Sequence, residues 1–253
     1  MRLISLLTLL LLAGAATATD YTFTGYARDL TTGALLYVET HAVSGAGTAA
    51  EQRVVLYSRD ENAAPFARKN LRYGADRSRP EFDFTCARSG VAEGLSRDGG
   101  KLRVDFRETA SSGPRTRLLA EREVSVVDAG FDEFVRANWA TLERGKAVTA
   151  PFLVPSRQTT YDFRVRKVDE VRIEGAEASV IRLSLSGALG WFLPDIDVTY
   201  RKRDQRLLRY RGLTNVRDAS GELLAAQIDF PEAGRGEGPV DLGKLRALAL
   251  SGS

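Results

Sequence analysis

From Tyr21 to Phe230 the chain places apolar and polar side chains at alternate positions in one short run after another. A two-residue period restricts such a chain to β-strands with one face buried and the other wet. Tyr21 and Phe23 alternate with Thr22 and Thr24, and Thr31-Thr32-Gly33 turns the chain into residues 35–43, where Leu36, Val38 and Thr40 oppose Tyr37, Glu39 and His41. Residues 54–57 form a further strand, and in the next Phe82, Phe84 and Cys86 share one face while Glu81, Asp83 and Thr85 share the other. Arg97-Asp98-Gly99-Gly100 closes a hairpin into Leu102, Val104 and Phe106, with Arg103, Asp105 and Arg107 facing water.

After Pro151 and Pro155 the rhythm resumes with Tyr161, Phe163 and Val165, and continues through residues 171–173, 181–185, 196–200, 207–216 and 223–230. Residues 68–80 read as an exposed basic loop with Gly74 and Pro80 as breakers, residues 110–114 as a connector, and residues 231–239 as a loose Gly-rich segment. No linker divides residues 19–253, which are expected to form a single β-rich domain.

One stretch departs from the period. Phe131, Phe134, Val135, Asn138, Trp139 and Leu142 recur at steps of three and four, which predicts an amphipathic helix over 128–145. Asp128 is its expected N-cap and Gly145 its stop. A second, short helix is expected over 242–250. A lone main helix beside many antiparallel strands implies a mainly β fold, β-rich α+β, in which the helix buries its stripe against the sheet.

Residues 1–18 read as a signal peptide. Arg2 is a short basic segment, residues 3–12 are an apolar run broken by Ser5 and Thr8, and Ala16-Thr17-Ala18 supplies the small-x-small pattern for cleavage after Ala18. The run is shorter than the roughly 20 residues of a membrane-spanning helix. Ala15 stands where a lipoprotein would carry its lipidated cysteine, so no lipid anchor is expected. The expected location is the periplasm. Cys86, the single cysteine, excludes an internal disulfide. Removing Arg2 takes the formal charge from +3 to +2, too small a surplus to imply a nucleic-acid partner.

Catalytic chemistry has little to work with. The chain holds one histidine, His41, which shares a strand face with Glu39. Two ligands fall short of the three or four that a closed metal site needs, on the order of what tetrahedral sites show, and no metal or other cofactor is implied. No Gly-x-Ser-x-Gly or Ser-x-x-Lys motif occurs. Cys86 beside Phe82 and Phe84 reads as a core residue. Asp195 and Asp197 read as turn-formers beside Pro194, and the arginine-rich residues 200–211 read as the solvated face of a hairpin whose other face holds Leu208 and Tyr210.

The runs Gly130-Phe131-Asp132-Glu133-Phe134-Val135 with Asn138-Trp139, Phe152-Leu153-Val154-Pro155-Ser156-Arg157, and Leu207-Leu208-Arg209-Tyr210-Arg211-Gly212 with Asn215 and Asp218 resemble a family of uncharacterised exported proteobacterial proteins. The later part is also similar to periplasmic domains related to the lipoprotein-carrier half-barrel. That likeness implies a strongly curved antiparallel sheet, a half-barrel or open barrel, wrapping a helix around an apolar cavity; it carries over no catalytic residue.

The expected function is therefore non-enzymatic: a soluble periplasmic carrier or chaperone for an apolar or acyl-chain ligand or an envelope lipoprotein, with peripheral membrane contact. Phe134, Trp139, Trp191, Phe192 and Leu193 are the expected cavity wall or mouth, with Arg209 and Arg211 as head-group contacts. The alternatives are an envelope assembly module that uses the Trp191 loop as a protein contact, and a metal-dependent enzyme built on Glu39 and His41.

Overall fold

The computed structural model describes residues 19–186, 194–218 and 221–252. Its fifteen strands join one antiparallel sheet. The first eight are β1 (Tyr21–Asp29), β2 (Leu35–Ser44), β3 (Gln52–Ser58), β4 (Ala67–Arg72), β5 (Glu81–Cys86), β6 (Ala92–Asp98), β7 (Lys101–Arg107) and β8 (Arg115–Ala120). Helices α1 (Gly130–Ala137) and α2 (Trp139–Glu143) follow. Then come β9 (Val148–Val154), β10 (Thr159–Ile173), β11 (Ala176–Leu185), β12 (Ile196–Arg201), β13 (Leu207–Arg217), β14 (Leu223–Asp229), β15 (Arg235–Glu237) and α3 (Leu242–Ala247).

From edge to edge the order runs backwards from β8 to β1, then from β14 back to β9. Each neighbouring pair is consecutive in sequence except β1 and β14, which meet at Tyr26 and Asp229. Side chains of β2, β4 and β6 line the same interior space as side chains of β11 and β12, so the sheet curls round on itself. The ladder does not close, because its edges β8 and β9 are unpaired with each other. A parallel bridge from Val126 to Phe152 lies between them, and the Ser125 and Val126 amides donate to the Pro151 carbonyl at 2.9 and 3.2 Å. Gln158, in left-handed backbone at φ 51°, donates from Nε2 to the carbonyls of Val104 and Arg115 at 3.0 Å each.

The alternation sorts the faces as expected in β7, where Leu102, Val104 and Phe106 are buried. Strand β3 departs from it. Val55 and Tyr57 point inward, while Val54 and Leu56 are covered on the outer face by Leu242 of α3. Asp241 caps α3 by accepting from the Lys244 amide at 2.9 Å. Two larger clusters fill the interior. One gathers Tyr37, Phe66, Phe82, Phe84, Leu95 and Leu102 under β2–β7; the other packs Phe131, Val135 and Leu142 against Ile181, Val198 and Tyr200. Each such side chain contributes about 1.5–3 kcal/mol by leaving water.

Four expectations need correction. Residues 68–80 are not one exposed loop: Lys69 and Leu71 are buried in β4, and beyond it Arg77 crosses to Glu51 and Glu133 at 2.6 and 3.1 Å. The predicted helix is two helices broken at Asn138, whose side-chain amide donates to the Phe134 carbonyl at 2.8 Å. Asp128 is not its N-cap; the cap residue is Ala129, and Asp128 takes φ 44° with one carboxylate oxygen turned to Lys69. The segment 231–239 contains β15, which pairs Tyr21–Phe23 of β1 and lays the Arg235 guanidinium 4.1 Å from the Tyr21 ring centre.

Two details hold α1 and α2 in place. Gly145, at φ 74°, ends α2 as expected: its amide bonds the Leu142 carbonyl, and that of Lys146 bonds Thr141. At the other end, a Cβ on Gly130 would stand 2.1 Å from the Ser78 carbonyl oxygen. Only glycine lets α1 start against the β4–β5 loop.

Candidate functional site

The curled sheet, with α1 across it, encloses a cavity of about 390 Å³, within the roughly 300–1,000 Å³ of small-molecule sites. Its wall includes Leu223, which is 40% exposed. The wall has two characters. Phe131 of α1 joins Phe152, Phe163, Leu183, Ile196 and Val198 from β9–β12 in an apolar side. Opposite, one transverse row of paired residues runs Phe23, His41, Val55, Lys69, Phe84, Glu93, Phe106, so that three ionisable groups alternate with apolar ones inside the sheet.

Burying a charge is costly unless it is paired, and the row shows how that is met. His41 Nε2 lies 2.9 Å from Glu39 Oε2, and its ring stacks on Phe23 with centres 4.2 Å apart. Lys69 Nζ donates to Asp128 Oδ2 at 2.6 Å. Burial pushes the Glu93 carboxyl up to about 7, opposed by the Lys69 charge, reinforced by Asp128, and opposed again by a hydrogen bond with Asn215. Glu93 is thus partly protonated near neutral pH. Arg217 joins the wall beside Asn215; a terminal nitrogen donates to the Gly221 carbonyl at 2.6 Å, and its buried Nε has no hydrogen-bond partner.

Arg53 and Asp132, also on the wall, belong to a second network. Arg53 pairs with Glu51 at 2.6 Å and sits 4.7 Å over the Tyr73 ring, with Arg77 on the same ring at 4.6 Å. The Tyr200 hydroxyl donates to Asp132 Oδ1 at 2.6 Å, which ties α1 to β12.

The residues expected from sequence fall in three places. Phe134 and Trp139 are half-buried against the β9–β12 cluster, Trp139 edge-on to Tyr200 at 6.3 Å, and the wall position belongs instead to Phe131. Trp191, Phe192 and Leu193 lie outside the described residues. Arg209 and Arg211 stand on the outer face, Arg209 paired with Asp229 at 2.6 Å and Arg211 exposed, while Tyr210 between them faces the cavity. Strand parity turns both away from the cavity wall. Asp195 and Asp197 both engage Arg182, at 3.3 and 2.7 Å, and Cys86 is buried beside Phe82 and Phe84. Glu39 and His41 do line the cavity. Lys69, Glu93, Asp128 and Arg217 were not expected there.

No family model matches the chain, and no curated protein matches it. Among solved structures, a β-barrel-like protein of the domain of unknown function DUF1849 from Brucella abortus aligns with TM-score 0.52 and 9% identity, over 85% of this chain and 99% of that one. The two share a fold. A putative outer-membrane lipoprotein-sorting protein domain from Vibrio parahaemolyticus aligns at TM-score 0.27 and 6% identity, covering 86% of this chain and 85% of that one. A DUF1329 family protein from Desulfovibrio piger aligns at 0.24 and 10%, over 86% and 85%. Among the described residues no helix is long and apolar enough to cross a membrane.

Proposed function

We propose that this chain is an exported, non-catalytic carrier that holds the apolar chain of a lipid-like ligand, or the acyl part of an envelope lipoprotein, between its curled sheet and α1. The cavity carries this reading: about 390 Å³ with one wall of Phe131, Phe152, Phe163 and Leu183 offers a ligand the transfer of about 0.8 kcal/mol per buried CH₂. An interior built only for stability fills such space with side chains. Export rests on the apolar run of residues 3–12 and the Ala16-Thr17-Ala18 site.

The test is to incubate the purified protein with envelope lipid extract and analyse it by native mass spectrometry. A retained lipid is expected, and Val198→Trp, which fills the cavity from β12, is expected to reduce it while leaving the circular dichroism spectrum intact. Absence of any retained lipid, or retention unaffected by that substitution, would remove the reading.

A further inference from the structure

The inward charges are mostly satisfied by one another. Glu39 has His41, Lys69 has Asp128, Arg53 has Glu51, and Asp132 has the Tyr200 hydroxyl. Among the described residues, two cavity-facing groups are left with capacity. Glu93 sits in the transverse row between Phe84 and Phe106 with Asn215 as its hydrogen-bond neighbour, and Arg217 keeps Nε without a partner. Arg217 and exposed Leu223 are direct cross-strand partners on β13 and β14, so this polar corner adjoins an exposed part of the cavity wall.

Resting on the carrier reading above, we infer that the ligand is a long-chain carboxylic acid whose carboxylate sits between Arg217 and Glu93, its chain running to the apolar wall of Phe131, Phe152 and Leu183. Arg217 Nε–H donates to one carboxylate oxygen, the unfilled bond it now has. Glu93 in its protonated form donates to the other, so a single proton is shared by two carboxyls, as two acids in one apolar site require. A guanidinium and a neutral carboxyl together present two donors, which fit a planar carboxylate. A hydroxyl or ester head leaves Arg217 Nε unanswered or answered by a neutral acceptor.

The groups facing Glu93 are Lys69 of β4, Tyr57 of β3, Asp128 before α1 and Arg217 of β13. Burial holds the Glu93 carboxyl near neutrality. Binding of an acid therefore favours protonated Glu93 and weakens as pH rises through its titration.

Hexadecanoic acid, hexadecanol and methyl hexadecanoate are titrated into the intact protein by isothermal calorimetry at about pH 6 and pH 8. The acid is expected to bind about tenfold or more tighter than the alcohol or ester at the lower pH, the scale of a hydrogen bond to a charged group, and to lose part of that advantage at the higher. Arg217→Gln weakens the acid far more than the alcohol and so removes the preference, with an unchanged circular dichroism spectrum reporting that the variant is folded. Glu93→Gln keeps the preference and abolishes its pH dependence. Equal binding of acid and alcohol by the wild type, or an Arg217→Gln loss shared by all three, overturns the inference and leaves the carrier reading standing. Failure of all three to bind removes both.

Discussion

Lys69 and Asp128 meet at 2.6 Å across 59 residues of sequence, the lysine from the inner face of β4 and the carboxylate from the turn that precedes α1. Their side chains are 8% and 15% exposed. The pair fixes the entry of α1 over the cavity and neutralises a lysine lying between Phe82 and Phe84 on the neighbouring strand, 6.0 and 5.8 Å from their ring centres.

Removing one member leaves the other charge unanswered. Lys69→Met is expected to cost about 3 kcal/mol, the scale of a broken buried pair, and adding Asp128→Asn is expected to return most of it. Urea unfolding of the single and double variants decides the matter; additive losses would show that the two do not act as a pair.

Gly130→Ala tests packing against propensity. Alanine is the better helix former, yet at this first position of α1 its Cβ would stand 2.1 Å from the Ser78 oxygen. The expected result is a lowered Tm, with a loss of about 1–3 kcal/mol from overpacking. A raised Tm would mean that the loop yields.

Stability should depend on Glu93. Its carboxyl is raised from 4.5 to about 7 by burial, so the folded state favours the neutral form. The contribution is fully present below about pH 4.5, and is lost as pH rises through about 7. Glu93→Gln is expected to flatten stability across that interval and to exceed the wild type at pH 8, by on the order of 2–3 kcal/mol. Parallel pH–stability curves for the two proteins would contradict the assignment.

Gln158 is expected to matter at the unpaired edges. Gln158→Gly preserves the left-handed backbone but deletes the bonds to Val104 and Arg115. Expected are a loss of about 1–3 kcal/mol for carbonyls left unsatisfied and faster hydrogen exchange confined to β7–β9. Exchange that quickens uniformly would point to global loosening instead.

The alternation in the sequence made most strands legible, and β7 shows why: Leu102, Val104 and Phe106 lie in and Arg103, Asp105 and Arg107 out, as the period demands. The same rule hid the site. It assigns ionisable residues to water, whereas Lys69 and Glu93 point inward among phenylalanines, and in β6 only Leu95 marks the buried face. Asp128 was visible as a residue that suits a cap; that it would turn toward a lysine 59 positions earlier depends on how the sheet curls, which no local pattern encodes. The period turns Arg209 and Arg211 outward, whereas the register shift between Leu213 and Arg217 lets Arg217, on the same strand, reach the cavity wall.

The sheet order has a consequence for how the chain is assembled. Every strand pairing within β1–β8 and within β9–β14 joins neighbours in sequence, so each half can grow hairpin by hairpin at small loop-closure cost. The seam between β1 and β14 cannot. As synthesis proceeds, β1 emerges first and must wait for residues 223–229, some 200 positions later, before Tyr26 can meet Asp229. Until then one border of the early half stays unsatisfied and open to the wrong strand, which makes the interval before the last hairpin arrives the time at which this protein most needs a chaperone.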